Sequence, residues 1–260
     1  MQEENIQYPP EFTNRLEVLW GEGFLSPGGA EEVREILRSI DLQGKSVLDI
    51  GCGTGGVEVV LAKELGAGSV TGIDVEPQLI ECSQQRIEQH GLQDRVSLKL
   101  VEPGPFDFPD NHFDVVFSKD SMIHIADKNA LFKDVLRVLK PGGQFAASDW
   151  LVEENAETSV EWKTLQQVAH LNFEVATSTI CENSLTQAGF SKVRTRDRND
   201  WYAPVTQLEL EQLEGPLRED ILSIATEESY QNWLKVRRAL RDAVHAGALR
   251  PTHLFGTKPG

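Results

Sequence analysis

Three groups of residues in this 260-residue chain have types and spacings that could do chemistry. The first is Asp49-Ile-Gly51-Cys-Gly53-Thr-Gly55. Its alternating glycines allow a tight turn and the close approach of a ligand, with no Cβ in the way. Val47, Leu48 and Ile50 ahead of it read as a buried parallel strand. Residues 56–65 after it read as a helix whose N-terminal amides face whatever sits above the glycines. The second group is Asp74, the carboxylate ending the next strand, Val70-Thr-Gly-Ile-Asp74. An acid at that place can accept hydrogen bonds from both hydroxyls of a ribose, which favours an adenosine-type cofactor over an ordinary strand-to-helix turn. The third is His124, in Ser118-Lys119-Asp120-Ser-Met-Ile-His124-Ile. It falls just past a fourth strand, where a substrate nucleophile would sit, and an unperturbed pKa of about 6.5 suits a general base. The same position also suits a histidine satisfied in the core or in a helix cap.

The glycine spacing separates two classes of nucleotide cofactor. A nicotinamide-binding turn reads G-x-G-x-x-G and faces a pyrophosphate. Here Asp49 stands two residues before the first glycine. A carboxylate there repels pyrophosphate but suits an amino-acid ammonium. S-adenosylmethionine carries an ammonium, a carboxylate and a sulfonium. At Val47-Leu-Asp-Ile-Gly-Cys-Gly-Thr-Gly55 the sequence resembles the class I S-adenosylmethionine-dependent methyltransferases. That resemblance implies a Rossmann-like doubly wound sheet, S-adenosylmethionine as cofactor and S-adenosylhomocysteine as product. Asp49, Gly51, Gly53, Asp74, Val75, Glu102 and Lys119 are the positions expected to hold it.

A closer resemblance rests on Trp20-Gly-Glu-Gly-Phe-Leu-Ser-Pro-Gly-Gly29 and on the Ser118–Ile125 motif. Both are similar to the phosphoethanolamine N-methyltransferases and to the glycine, sarcosine and dimethylglycine N-methyltransferases. The likeness extends to Thr186-Gln-Ala-Gly-Phe190 and Leu254-Phe-Gly-Thr-Lys258, so it covers nearly the whole chain. It implies methyl transfer to a small amine, with Tyr8 pairing with His124 to close the site and assist deprotonation. Three departures stand out. Residues 162–173 contain Lys163 and His170 but no Arg or Tyr, where the phosphoethanolamine enzymes hold a phosphate. Lys119 replaces the usual Arg or Gln, and Glu102-Pro103 replaces an Asp followed by a residue with a free backbone N–H.

Aromatic residues Trp20, Phe24, Trp150, Trp162, Trp201 and Tyr202 fall in loop or cover segments. Such faces stabilise a methylated ammonium by roughly 0.5–2 kcal/mol each, although packing of the cover onto the core would also place them there. Asp120, Trp150 and Trp20 are the expected substrate contacts. Two other readings stay open: a small-molecule O-, C- or ring-N-methyltransferase of specialised metabolism, and a module that binds S-adenosylmethionine without catalysis.

The elements that must position these residues follow an α/β rhythm. Strands at 47–50, 70–74, 96–101, 113–118 and 144–149 alternate with helices at 56–65, 78–90 and 129–139, which argues for a doubly wound, mostly parallel sheet. Beyond residue 150 come helices over 154–173 and 179–188, a strand at 193–197, a long helical stretch at 208–247 and a seventh strand at 250–257. Residues 1–40 are expected as N-terminal lid helices, 41–150 as the cofactor-binding core, and 151–260 as a helical cover with the last strands of the same domain. Ligands in such sheets bind beyond the carboxyl ends of the strands.

Composition narrows the partners. With 41 acidic and 25 basic residues the net charge is −16, a field that disfavours nucleic acid and anionic membranes and tolerates a cationic or zwitterionic small molecule. No apolar run approaches the ~20 residues of a membrane span. No basic and apolar leader is visible. Three scattered cysteines support neither a disulfide framework nor a metal site. The expectation is a cytoplasmic protein, monomeric or homodimeric.

Overall fold

Val47, Leu48, Asp49 and Ile50 are all buried, and the strand they form, β1 (Ser46–Ile50), lies near the middle of the sheet. The computed structural model describes residues 8–169 and 174–260. Among these, seven strands form one sheet: β1, β2 (Ser69–Asp74), β3 (Val96–Leu100), β4 (Phe113–Lys119), β5 (Leu139–Val152), β6 (Ser191–Asp197) and β7 (Leu249–Thr257). Their order is β3-β2-β1-β4-β5-β7-β6. The first five are mutually parallel, and β7 runs antiparallel between β5 and β6. The order reverses between β1 and β4, which opens a crevice at their carboxyl ends. Ile50 pairs with Ser118 there, so the glycine turn and the His124 motif leave the sheet side by side.

Side chains alternate between two cores, as a strand's period of two requires. Val47, Val70, Val115 and Phe117 pack under α2 (Gly29–Leu37) and the helix that follows the glycine turn. Leu48, Ile73, Val116 and Phe145 pack under α5 (Lys128–Val138) and α7 (Ser178–Ala188). The helix after the glycines starts as α3 (Gly56–Val59) and widens into a π-helical turn at Val60–Glu64. α4 (Pro77–Gln89) follows β2, with proline in its first turn where no N–H is needed.

The two ends of the chain make a shared cover. α1 (Pro10–Trp20) packs Leu16 against Leu210, Tyr230 and Trp233 of the C-terminal helices α8 (Asn199–Glu214), α9 (Arg218–Ile224) and α10 (Glu227–His245). The helical stretch expected at 208–247 therefore begins earlier and is three helices. Pro204 lies inside α8 and hides its start from a propensity argument. Gly215-Pro216 ends it, and the Thr226 side chain caps α10 by accepting from Ser229 N–H. The helix expected over 154–173 resolves into a short turn at Ala156–Thr158 and α6 (Val160–Ala169); its last four positions, including His170, lie outside the described residues. No helix among the described residues is long and apolar enough to cross a membrane.

Candidate active site

A cavity of ≈ 1260 Å³ opens at the carboxyl ends of β1, β2, β3 and β4. Its floor is the glycine turn. Gly51 has φ +80°, and a Cβ added to it would lie 2.3 Å from Ser121 Cβ, so glycine is required by both conformation and space. Ser118 and Ser121 hydroxyls both donate to the Ile50 carbonyl, at 2.9 and 2.6 Å, and lock the end of β4 onto the end of β1. The N-terminal cover is pinned to the same turn. Arg86 donates to the Thr54 carbonyl at 2.7 Å, to Glu17 at 2.9 Å and to Glu22 at 2.6 Å.

Beneath the turn lie two carboxyls with no exposure, Asp49 and Glu58. They are within hydrogen-bonding reach of each other, and among the described residues no other residue donates to any of their four oxygens. Burial pushes both above the usual carboxylate range, with the Asp49 charge pushing Glu58 further, so the pair holds a proton. Asp74, at the tip of β2, accepts from Gly53 N–H at 2.9 Å and from Glu76 N–H at 3.1 Å; burial raises it, and these backbone donors oppose the rise. Val75 and Leu100 follow or end their strands with 49% and 53% of their surface exposed, and both line the cavity. Glu102 also lines it, followed by Pro103, which has no N–H. The far wall, the loop to Phe108, is fastened by Arg137, which donates to the carbonyls of Phe106 at 2.8 Å and Phe108 at 2.6 Å.

The other half of the cavity belongs to β4 and its loop. The Tyr8 hydroxyl lies 3.1 Å from His124 Nε2, and the two rings meet edge to face. Burial pushes the Tyr8 phenol well above its ordinary value, with Asp74 and Glu76 adding to it, so Tyr8 keeps its proton. Burial first, and then the charge of Lys128, holds His124 below its ordinary value, so the imidazole is neutral near pH 7. Asp120 adopts φ +57°; its carboxylate accepts from Ser148 Oγ at 2.7 Å and Lys119 Nζ at 3.1 Å. Lys119 also donates to Ser26 Oγ and the Pro27 carbonyl, tying the N-terminal loop down beside Asp120. Glu32, just beyond that loop, is gripped by Arg198 and His253, whose bonds hold it at about 2 despite burial.

Of the positions singled out from sequence, the cavity wall gathers Tyr8, Gly51, Gly53, Asp74, Val75, Glu102, Lys119, Asp120 and His124. Three lie elsewhere. Asp49 is buried below the floor. Trp150 lines a second, much smaller space of ≈ 10 Å³ that it shares with Asp120, Ser148 and Trp201. Trp20 turns into the cover, where its Nε1 donates to Glu209 at 2.6 Å and its ring lies 5.2 Å from the Arg237 guanidinium. Trp150 and Tyr202 meet edge to face at 5.2 Å, which is cover-to-core packing. Sequence reasoning missed Glu58, Arg137 and Lys128. Each is a charged residue at helical spacing that reads as solvated surface, and only its burial or bonding reveals otherwise.

These residues fit an adenosine bearing an amino-acid tail. The buried Asp49–Glu58 pair sets negative charge under the floor, which suits an ammonium above it, Asp74 suits ribose hydroxyls, and the exposed faces of Val75 and Leu100 suit a purine. A family model described as a methyltransferase domain matches residues 41–211. The chain belongs to the methyltransferase domain family. This methyltransferase domain is 32% identical over 256 residues to phosphoethanolamine N-methyltransferase 1 of Zea mays, covering 98% of this chain and 50% of that protein. The Plasmodium falciparum phosphoethanolamine N-methyltransferase is 28% identical over 230 residues, 87% of this chain and 84% of its own length. The chain thus spans about half the length of the plant relative it matches. Among solved structures, Haemonchus contortus phosphoethanolamine N-methyltransferase 2, in complex with phosphomonomethylethanolamine and S-adenosylhomocysteine, superposes with a TM-score of 0.88 at 23% identity, covering 98% of this chain and 59% of that one. A putative sarcosine dimethylglycine methyltransferase from Galdieria sulphuraria superposes with a TM-score of 0.82 at 20% identity, covering 96% and 97%. These likenesses establish the Rossmann-like methyltransferase fold.

Proposed function

We propose that this methyltransferase domain transfers a methyl group from S-adenosylmethionine to the nitrogen of a small amine of the phosphoethanolamine or glycine and sarcosine type. The observation that carries the reading is the Tyr8–His124 contact over a cavity whose other half suits the cofactor. When bound, the sulfonium supplies an electrophilic methyl. The remaining work falls to the chain's own residues. Asp49 and Glu58, beneath the floor, attract the cofactor ammonium through the glycine turn, while Asp74 takes the ribose hydroxyls and Glu102 the adenine amino group.

An amine that arrives protonated must lose a proton before its lone pair can attack. His124 is neutral near pH 7 and stands ready to accept that proton, while Tyr8 orients the imidazole and closes the site. Asp120, fixed by Ser148 and Lys119, attracts the ammonium and aligns it. Alignment alone can contribute roughly 7–11 kcal/mol. Asp74 and Glu76 from the β2 side and Asp120 from the β4 side all act on Tyr8, which makes that part of the cavity welcoming to a cation. The net charge of −16 supports a small-molecule partner over nucleic acid or an anionic membrane. The three free cysteines support a reducing, cytoplasmic location.

The test is product formation by mass spectrometry on ethanolamine, phosphoethanolamine, glycine, sarcosine and dimethylglycine, with His124→Ala beside the unmodified chain. A methylated amine that disappears in the variant is the expected result. Turnover of a phenol with none of any amine would replace this reading with oxygen methylation.

A further inference from the structure

The turn carrying His124 is held from behind by two buried groups that do not border the cavity. Met122–His124 is a single 3-10 turn, too short to keep its own position. Lys128, the first residue of α5, is only 6% exposed. Its Nζ donates to the carbonyls of Met122 at 2.7 Å, Ile125 at 2.5 Å and Glu174 at 3.0 Å. All three ammonium hydrogens are then used, and two of the acceptors bracket His124 in the chain. Asp149, 1% exposed in β5, accepts from Ile123 N–H at 3.1 Å. Glu174 N–H in turn donates to the Ile123 carbonyl at 2.9 Å.

Burying an ammonium is expensive unless its charge or its bonds are needed. Lys128 forms no ion pair among the described residues, so its charge is met chiefly by three carbonyl dipoles. A methionine of similar length would fill the same space without that desolvation. The charge is therefore kept for what it organises.

We propose that Lys128 and Asp149 are positioning residues, which together hold the 122–125 turn so that the His124 imidazole reaches the Tyr8 hydroxyl. The proposal rests on His124 being the base. The lysine also acts through space, because its charge opposes a second positive charge on the imidazole. Among the described residues, Tyr8 from the N-terminal segment and Glu76 from the turn between β2 and α4 also face the imidazole, Glu76 acting in the opposite sense. Asp74, Asp120 and Asp127 also line the cavity. Burial raises the Asp149 carboxyl to about 8, so near neutrality it serves mainly as an acceptor, a role asparagine can reproduce.

The experiment is a histidine-selective NMR titration of the ligand-free full chain, run with kcat, KM and the pH profile on whichever amine is turned over. Lys128→Met is expected to move the His124 titration to higher pH, to shift the acid limb of kcat the same way and to lower kcat at least tenfold, with KM for S-adenosylmethionine unchanged. Asp149→Ala is expected to lower kcat at least fivefold, and Asp149→Asn to restore most of it. An unmoved His124 titration in folded Lys128→Met, or Asp149→Asn no better than Asp149→Ala, would overturn the proposal. If Lys128→Met does not fold, the Asp149 pair decides alone. The titration needs no turnover, so a chain inactive on every amine would count against His124 as base while the titration still judged Lys128.

Discussion

The Tyr8 hydroxyl and His124 Nε2 meet at 3.1 Å across 116 residues of sequence. A contact of that span ties the N-terminal cover to the loop after β4. If the pair acts as a unit, its two members should not contribute independently.

Tyr8→Phe is expected to lower kcat about tenfold, and His124→Ala about a hundredfold or more, within the range a positioned base contributes. The double variant should be scarcely worse than His124→Ala. Steady-state rates on the accepted amine measure this, and simple multiplication of the two losses would show that the residues work separately.

The pH profile should carry the sign of the His124 displacement. Burial and Lys128 lower its pKa, so the acid limb of kcat is expected below the value of about 6.5 at which a free imidazole titrates. A limb above that value would mean that the group being titrated is not this imidazole.

Stability should fall as pH rises from about 4 to 8. Asp149, raised to about 8, and the Asp49–Glu58 pair keep protons in the folded chain that the unfolded chain releases. Stability from a raised carboxyl is complete below its unfolded pKa and lost as pH passes its folded pKa, with a slope of up to about 1.4 kcal/mol per pH unit for each proton. Glu58→Gln gives Asp49 a neutral donor and is expected to flatten the slope and raise stability at pH 8 by about 1 kcal/mol or more. Asp49→Asn, by contrast, should weaken S-adenosylmethionine binding at least tenfold. Urea unfolding against pH and calorimetric titration provide the two readouts. Below pH 4 the trend reverses, because two carboxylates held at about 2 lose their partners as they protonate: Glu32, and Asp114 in β4, which accepts from Lys140 and Ser46.

Gly51→Ala should be far more disruptive than Gly91→Ala. Both glycines have positive φ, but a Cβ at 91 meets nothing within 4 Å, whereas one at 51 collides with Ser121. The expected losses are about 1 kcal/mol at 91, from conformation alone, and 3 kcal/mol or more at 51. Equal losses in urea unfolding would remove the collision as the reason for glycine at 51.

The sheet was legible because buried parallel strands advertise themselves. Val47-Leu48 and Val115-Val116-Phe117 are continuous apolar runs facing two cores, and turn residues separate them from helices. The glycine turn and Asp74 were legible because their chemistry lies in local spacing. What stayed hidden depends on tertiary context. Lys128 and Glu58 have the sequence appearance of surface charges, and only burial gives them partners or takes them away. Trp20 and Trp150 read as available faces, yet one hydrogen-bonds Glu209 and the other packs on Tyr202. The start of α8 was masked by Pro204, and no local rule foretells the π-helical widening at Val60–Glu64.

The reversal of strand order between β1 and β4 sorts the cavity by chain segment. Gly51, Asp74, Val75 and Glu102 all precede Phe113, whereas Asp120, His124, Lys128 and Asp149 come from β4, β5 and the crossover joining them. On the proposed reading the two ligands are thus written largely in consecutive paragraphs of the chain, with Tyr8 and Lys119 crossing the division. Mutational drift in the second paragraph spares most of the first, except where Ser118 and Ser121 fasten onto Ile50. A lineage built on this plan can change its acceptor while inheriting its cofactor unaltered.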